Sequence, residues 1–124
     1  MVKTQIHQFN PVIYPVKLWI TKTHDFLSIK NKFSEINGDD INFSVRDSLN
    51  AMTYNRVILS RKTNEYGILI TIKSNISTNV IAHEATHAAR FIWDWINESS
   101  TGIEADAYLV GWIAECIEKV KRLK

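Results

Sequence analysis

Apolar positions along the chain change period several times, and each change marks an element. VKLWITKT (16–23) is dense in β-branched and aromatic residues and predicts a strand, with Pro11 and Pro15 suiting an extended lead-in. HDFLSIKNKFSEI (24–36) sets Phe26, Ile29, Phe33 and Ile36 at helical spacing. NGDD (37–40) predicts a turn, because Asn-Gly readily supplies positive φ. INFSV (41–45) alternates and predicts a short strand, whereas DSLNAMT (47–53) has no decisive period. YNRVILSRKT (54–63) and YGILITIKS (66–74) predict a hairpin turning at Asn64 and Glu65. Ile68, Ile70 and Ile72 would share one face, with Leu69 and Thr71 on the other.

From about 78 to 97 the period becomes helical, with the Thr78 hydroxyl as a candidate N-cap. ESSTG (98–102) interrupts the pattern, and a last helix follows over 103–123. The predicted order is β-α-β-β-β-α-α. That order predicts one α+β domain over 1–124, with a mainly antiparallel sheet.

Composition narrows the function classes. The chain has 124 residues, 45% of them hydrophobic and 23% charged, with few Gly and Pro, which suits one packed core rather than disorder. The net charge of +2 is partly gathered in EKVKRLK at the end, where cations favour a helix C-terminus. No basic stripe is interleaved with aromatics, which argues against nucleic acid as a partner. No run reaches about 18 apolar residues, so no membrane span is expected. The first residues lack a basic region followed by an apolar run, and a cytoplasmic location is the expectation. Three Asn-x-Ser triplets begin at Asn42, Asn75 and Asn97, and read as chance rather than glycosylation. The single cysteine, Cys116, falls in an apolar helical pattern and reads as a small buried side chain.

The chemistry is concentrated in NVIAHEATHAARFIW (79–93). His83 and His87 lie about 40° apart on a helix and one turn along it, so both imidazoles can reach one ion. Ile81, Ala85, Ala88, Ile92 and Ile96 form a stripe on the opposite face that should pack on the sheet and turn the histidines away from it. Glu84 lies between these faces, where its carboxylate can reach an ion-bound water. The plain alternative is two histidines capping a helix face with satisfied hydrogen bonds.

A catalytic zinc needs a third protein ligand. Asp94 and Glu98 sit about 10 and 16 Å beyond His87 along the axis, too far to share the ion. The final helix offers Glu104, Asp106, Glu115 and Glu118. Glu104, Tyr108, Gly111 and Glu115 form one stripe, with Asp106 on the other side. Glu104 is the first choice and Glu115 the reserve. Gly111 either allows close approach of the two helices or is a tolerated packing glycine.

HEATHAA followed by GIEADAYLVGWI resembles the zincin-like metalloproteases, in particular the small gluzincin type, with HExxH and a downstream Glu. Phage and prophage genomes encode compact domains of this kind. The likeness covers roughly 66–113. It implies a minimal zincin-like fold with an N-terminal helix, an active-site helix and a glutamate helix. It further implies Zn²⁺ held by His83, His87 and Glu104, with Glu84 as general base acting on a peptide or protein substrate. YGILITIK resembles the upper edge strand that pairs with an extended peptide. Larger members carry a domain after the glutamate helix and a downstream Tyr or His for the oxyanion, whereas the residues that follow Glu104 in the sequence are expected to complete one helix and offer neither beyond Tyr108. Tyr108 is the candidate for that role, against a half-buried tyrosine that only packs.

Outside the motif, His7 and His24 read as surface or helix-start residues. Asp39 and Asp40 read as a solvated turn. Trp19, Trp93, Trp95 and Trp112 read as core packing rather than a ligand box. Arg90 and Phe91 flank the motif and could line a substrate pocket. The main expectation is therefore a zinc-dependent peptidase. The alternatives are a catalytically idle zincin-fold binding or phage-assembly protein with a structural or vestigial metal site, and a non-peptidase amidase using the same water chemistry.

Overall fold

The computed structural model of the chain describes residues 5–11, 14–22, 25–42, 50–96 and 103–123, with the side chains of Ile103 and Glu104 excepted. In chain order the elements are β1 (His7–Phe9), β2 (Lys17–Thr21), α1 (Phe26–Lys32), β3 (Phe33–Ser34), β4 (Ala51–Thr53), β5 (Ile58–Ser60), β6 (Tyr66–Ile72), α2 (Thr78–Trp95) and α3 (Ile103–Arg122). The class is α+β, and the sheet is mixed. Its order is β1-β2-β6-β5-β3, with β4 also on β6. All pairings are antiparallel except β2 with β6, which is parallel from Lys17↔Gly67 to Thr21↔Thr71.

The sheet has two unlike faces. Leu18, Ile20, Ile68, Ile70 and Ile72 point to one side and are buried with Ile81, Ala85, Ala88, Ile92, Ile113 and Ile117 of α2 and α3. Trp19, Leu69 and Ile58 point to the other and pack with Ile29 and Phe33 from α1 and β3. Burial of both faces explains the unbroken run Ile68–Leu69–Ile70–Thr71–Ile72: a strand covered on both sides needs no polar alternation.

That position corrects one expectation. β6 is no edge strand, since β2 lies on one flank and β4 and β5 share the other. β4 has no second strand partner among the described residues and packs on α2. It comes from the stretch without a decisive period. The hairpin strand expected over 54–63 is shorter, because the chain bends between β4 and β5. In this bend the Tyr54 N–H still donates to the Leu69 carbonyl at 2.9 Å, and Val57 is buried in the core.

The expected helix over 24–36 stops at Lys32. Phe33 turns extended (φ −133°, ψ 152°), pairs with Ser60 and buries its ring 4.9 Å from that of Trp19. Strand pairing and aromatic burial outweigh the helical spacing of Phe33 and Ile36. The predicted turn forms: Gly38 has φ +92° and the Asn37 side chain accepts from the Asp39 N–H at 3.0 Å. Asp40 is exposed and pairs with Lys30 and Arg61. Of the strand expected over 41–45, positions 43–45 lie outside the described residues, as do the ESSTG loop and His24. Among the described residues no helix is long and apolar enough to cross a membrane.

Candidate metal centre

Helix α2 begins at Thr78, so its cap lies one residue earlier than expected. Ser77, not Thr78, is the N-cap, its Oγ accepting from the Val80 N–H at 3.2 Å. Ser77 ends one of the Asn-x-Ser triplets, so capping accounts for that serine. The stripe Ile81, Ala85, Ala88 and Ile92 is buried against the sheet and α3, with Ile96 half-buried beyond it. His83 and His87, on the other side of the helix, are exposed.

The two imidazoles converge. Their Nε2 atoms lie 3.1 Å apart, with the rings edge to face at 4.6 Å between centroids. Two nitrogens bound to one tetrahedral zinc at ~2.0–2.1 Å stand about 3.3 Å apart. The pair therefore fits two corners of such an ion. The same distance also suits one N–H···N hydrogen bond between the rings. One turn on, the Phe91 ring lies nearly parallel to His87, 6.1 Å between centroids with 10° between the planes.

Glu84 occupies a different setting from its neighbours. It is 7% exposed, beneath β4. Thr53 Oγ1 donates to its Oε1 at 2.8 Å and lies 3.2 Å from its main-chain carbonyl. A buried carboxylate needs such a donor. No other hydrogen bond reaches its carboxylate among the described residues. Thr53 lies in the stretch of undecided period and 31 residues from its partner, and no sequence spacing signals the contact.

Helix α3 packs along α2. Trp93 Nε1 donates to Asp106 Oδ1 at 3.1 Å, anchoring the start of α3 near the end of α2. That anchor is about 9 Å along the axis from His87. Glu104 sits two residues before Asp106 in α3, and its side chain lies outside the described residues, as does Glu98. Tyr108 is 75% exposed and its hydroxyl makes no hydrogen bond among the described residues, so it is not the half-buried packing tyrosine considered above. Gly111 is exposed, and a Cβ built on it meets nothing within 4 Å; it mediates no close helix contact. Glu115 is exposed, and Glu118 is paired with Arg122 at 2.8 Å, which holds its carboxyl below the usual range. Among the described residues no third His, Cys, Asp or Glu joins the histidines in a group able to hold a metal.

Beyond Phe91 the helix borders a hollow of about 220 Å³, lined by Phe91, Asp94 and Trp95 of α2 and by Asn55, Arg56 and Val57 of the bend after β4. Trp95 is 37% exposed and rests against Tyr66 at 5.3 Å, which corrects its assignment to the core. Trp19 and Trp93 are buried and Trp112 is half-buried. Arg90 is exposed. Cys116 is buried, and burial pushes its thiol up to about 11, so it is no nucleophile at neutral pH. His7, half-buried in β1, has its pKa lowered by burial and by Lys22, which favours the neutral ring.

Compared with family models, with curated proteins and with solved structures, the chain finds no match.

Proposed function

We propose that the chain is a zinc-dependent peptidase of compact zincin-like type, with His83, His87 and Glu104 as ligands and Glu84 as general base. The observation that carries the reading is the 3.1 Å approach of the two Nε2 atoms on an exposed helix face. Glu84 between them in sequence adds the one residue type that a purely structural site does not require.

His83, His87 and Glu104 would hold the zinc, whose chemistry would be that of a Lewis acid towards water and a peptide carbonyl. The protein's own groups do the rest. His83 and His87 would each give one lone pair, with the Phe91 ring parallel to His87. Glu84 keeps Oε1 on Thr53 and has Oε2 available to take a proton from the attacking water and return it to the leaving amine. Tyr108, on the exposed face of α3, is the proposed donor to the oxyanion. The hollow beyond Phe91 would receive a substrate side chain.

A second reading rests on the burial of Glu84. Tied to Thr53, it also joins α2 to β4, and in an idle binding protein that tie would be its whole role. Zinc content and cleavage separate the two. Purified without chelator, the wild-type chain should carry about one zinc. The His83→Ala/His87→Ala variant should carry none, and Glu84→Gln should keep zinc while losing cleavage of unfolded casein. Full zinc in the double-histidine variant refutes the ligand assignment. Zinc binding without any cleavage by the wild type favours the idle protein.

A further inference from the structure

A hollow of about 480 Å³ lies on the sheet face away from the histidines. It lies beside the end of α1, whose seven residues bring Ile29 onto this face before the chain passes directly into β3 and seats Phe33 against Trp19. Ile6, Trp19 and Phe33 form its apolar floor.

Its rim has one sign of charge. Lys32, Arg61 and Lys62 line it, and among the described residues no acidic side chain does, Asp40 meeting Arg61 outside the lining. Arg61 is fixed: its Nε donates to the carbonyls of Lys30 and Phe33, each at 3.2 Å, and its Nη2 to Asp40 at 2.9 Å. Lys32 and Lys62 are exposed and make no ion pair among the described residues.

The polar groups divide in the same way. Gln8 is spent on its neighbours, accepting from Trp19 Nε1 at 3.0 Å and donating to Asn10. The side chains of Asn31 and Ser60 make no hydrogen bond among the described residues. The hollow thus offers a fixed guanidinium, two unpaired ammonium groups, an amide and a hydroxyl above an apolar floor. Its volume is in the range that holds small molecules, ~300–1,000 Å³. Cations around a low-dielectric floor concentrate anions there.

We propose that this hollow binds a small organic anion, its apolar body on Ile6, Trp19 and Phe33 and its carboxylate or phosphate head towards Lys32, Arg61 and Lys62. The site is independent of the histidine pair, being on the opposite face of the sheet.

The test is a titration with 1-naphthyl phosphate followed by ¹H–¹⁵N NMR. Inorganic phosphate supplies the head alone and 1-naphthalenemethanol the body alone. Saturable shifts are expected at the Trp19 indole and the amides of Asn31, Ser60 and Lys62, with both fragments weaker. Lys32→Ala/Lys62→Ala, changing two exposed unpaired side chains, should retain the wild-type melting temperature and bind about tenfold more weakly. His83→Ala should bind as wild type does. Equal affinity for the neutral naphthalene, unchanged binding by the double-lysine variant, or no saturable shift overturns the proposal. So does a polyglutamate peptide that binds where the naphthyl phosphate fails, since the rim would then serve an acidic polypeptide.

Discussion

Thr53 Oγ1 holds the buried carboxylate of Glu84 from the neighbouring strand at 2.8 Å, so the acid of the motif is positioned by β4 and not by its own helix alone. Thr53→Val keeps the side-chain shape and removes the donor. Glu84 is then left buried with an unmet oxygen, which costs about 1–3 kcal/mol. Thr53→Ser should recover most of that loss. Urea unfolding of the three proteins measures it, and equal midpoints for Thr53→Val and wild type would remove any weight from the bond.

The third ligand can be assigned by removing each candidate. Asp106, bound to Trp93, fixes the start of α3, and Glu104 sits just before it. Glu115 lies three turns further on, facing solvent. Glu104→Ala should lose most of its zinc on gel filtration, and Glu115→Ala should retain it. The reverse result moves the ligand to Glu115, and retention by both variants leaves a two-histidine site without a carboxylate from α3.

How far these features can be read from sequence depends on how local their causes are. The stripe of α2 and the exposure of His83 and His87 follow from a period of 3.6, and the structure has both. The turn at Gly38 follows from Asn-Gly alone. β1 is different: His-Gln-Phe has no readable period, and only the register His7↔Ile20 to Phe9↔Leu18 makes it a strand. The same holds for Phe33, whose spacing is helical and whose conformation is set by Ser60 and Trp19. In the site, the histidine pair is an (i, i+4) relation and therefore visible. The Thr53 contact depends on how β4 lies over α2, and no periodicity encodes that. Trp95 looks apolar in sequence yet ends at the margin of the helix, resting on Tyr66 with 37% of its surface exposed.

Two glycines should respond to alanine with opposite signs. A Cβ on Gly67 would meet Trp19 Cζ3 at 2.6 Å and the Lys17 carbonyl oxygen at 2.7 Å. The carbonyl belongs to the paired strand and cannot give way cheaply, so Gly67→Ala should destabilise by about 1–3 kcal/mol. Gly111 is an exposed helical glycine with open space around it. Gly111→Ala should stabilise by about 0.5–1 kcal/mol through helix propensity. Thermal or urea unfolding of both variants checks the pair, and destabilisation by Gly111→Ala would mean that α3 packs there against something else.

Tyr54 sets an alkaline limit on stability. It is 5% exposed, and its hydroxyl donates to Glu35 Oε1 at 2.5 Å. Burial first, and then the bond to Glu35 and its charge, push the phenol up from 10.0 to about 12. The fold thus favours the protonated phenol. The stability this contributes is complete below pH 10 and is lost as pH rises through about 12, because the unfolded chain releases the proton first. At 1.36 kcal/mol per unit the loss is of the order of 2–3 kcal/mol. Lysines also titrate in this window, so the measurement is a difference. Urea midpoints of wild type and Tyr54→Phe are compared from pH 9 to the highest pH at which both still refold. The wild-type curve should fall more steeply than that of Tyr54→Phe; parallel curves would show that the phenol stays charged or neutral alike in both states.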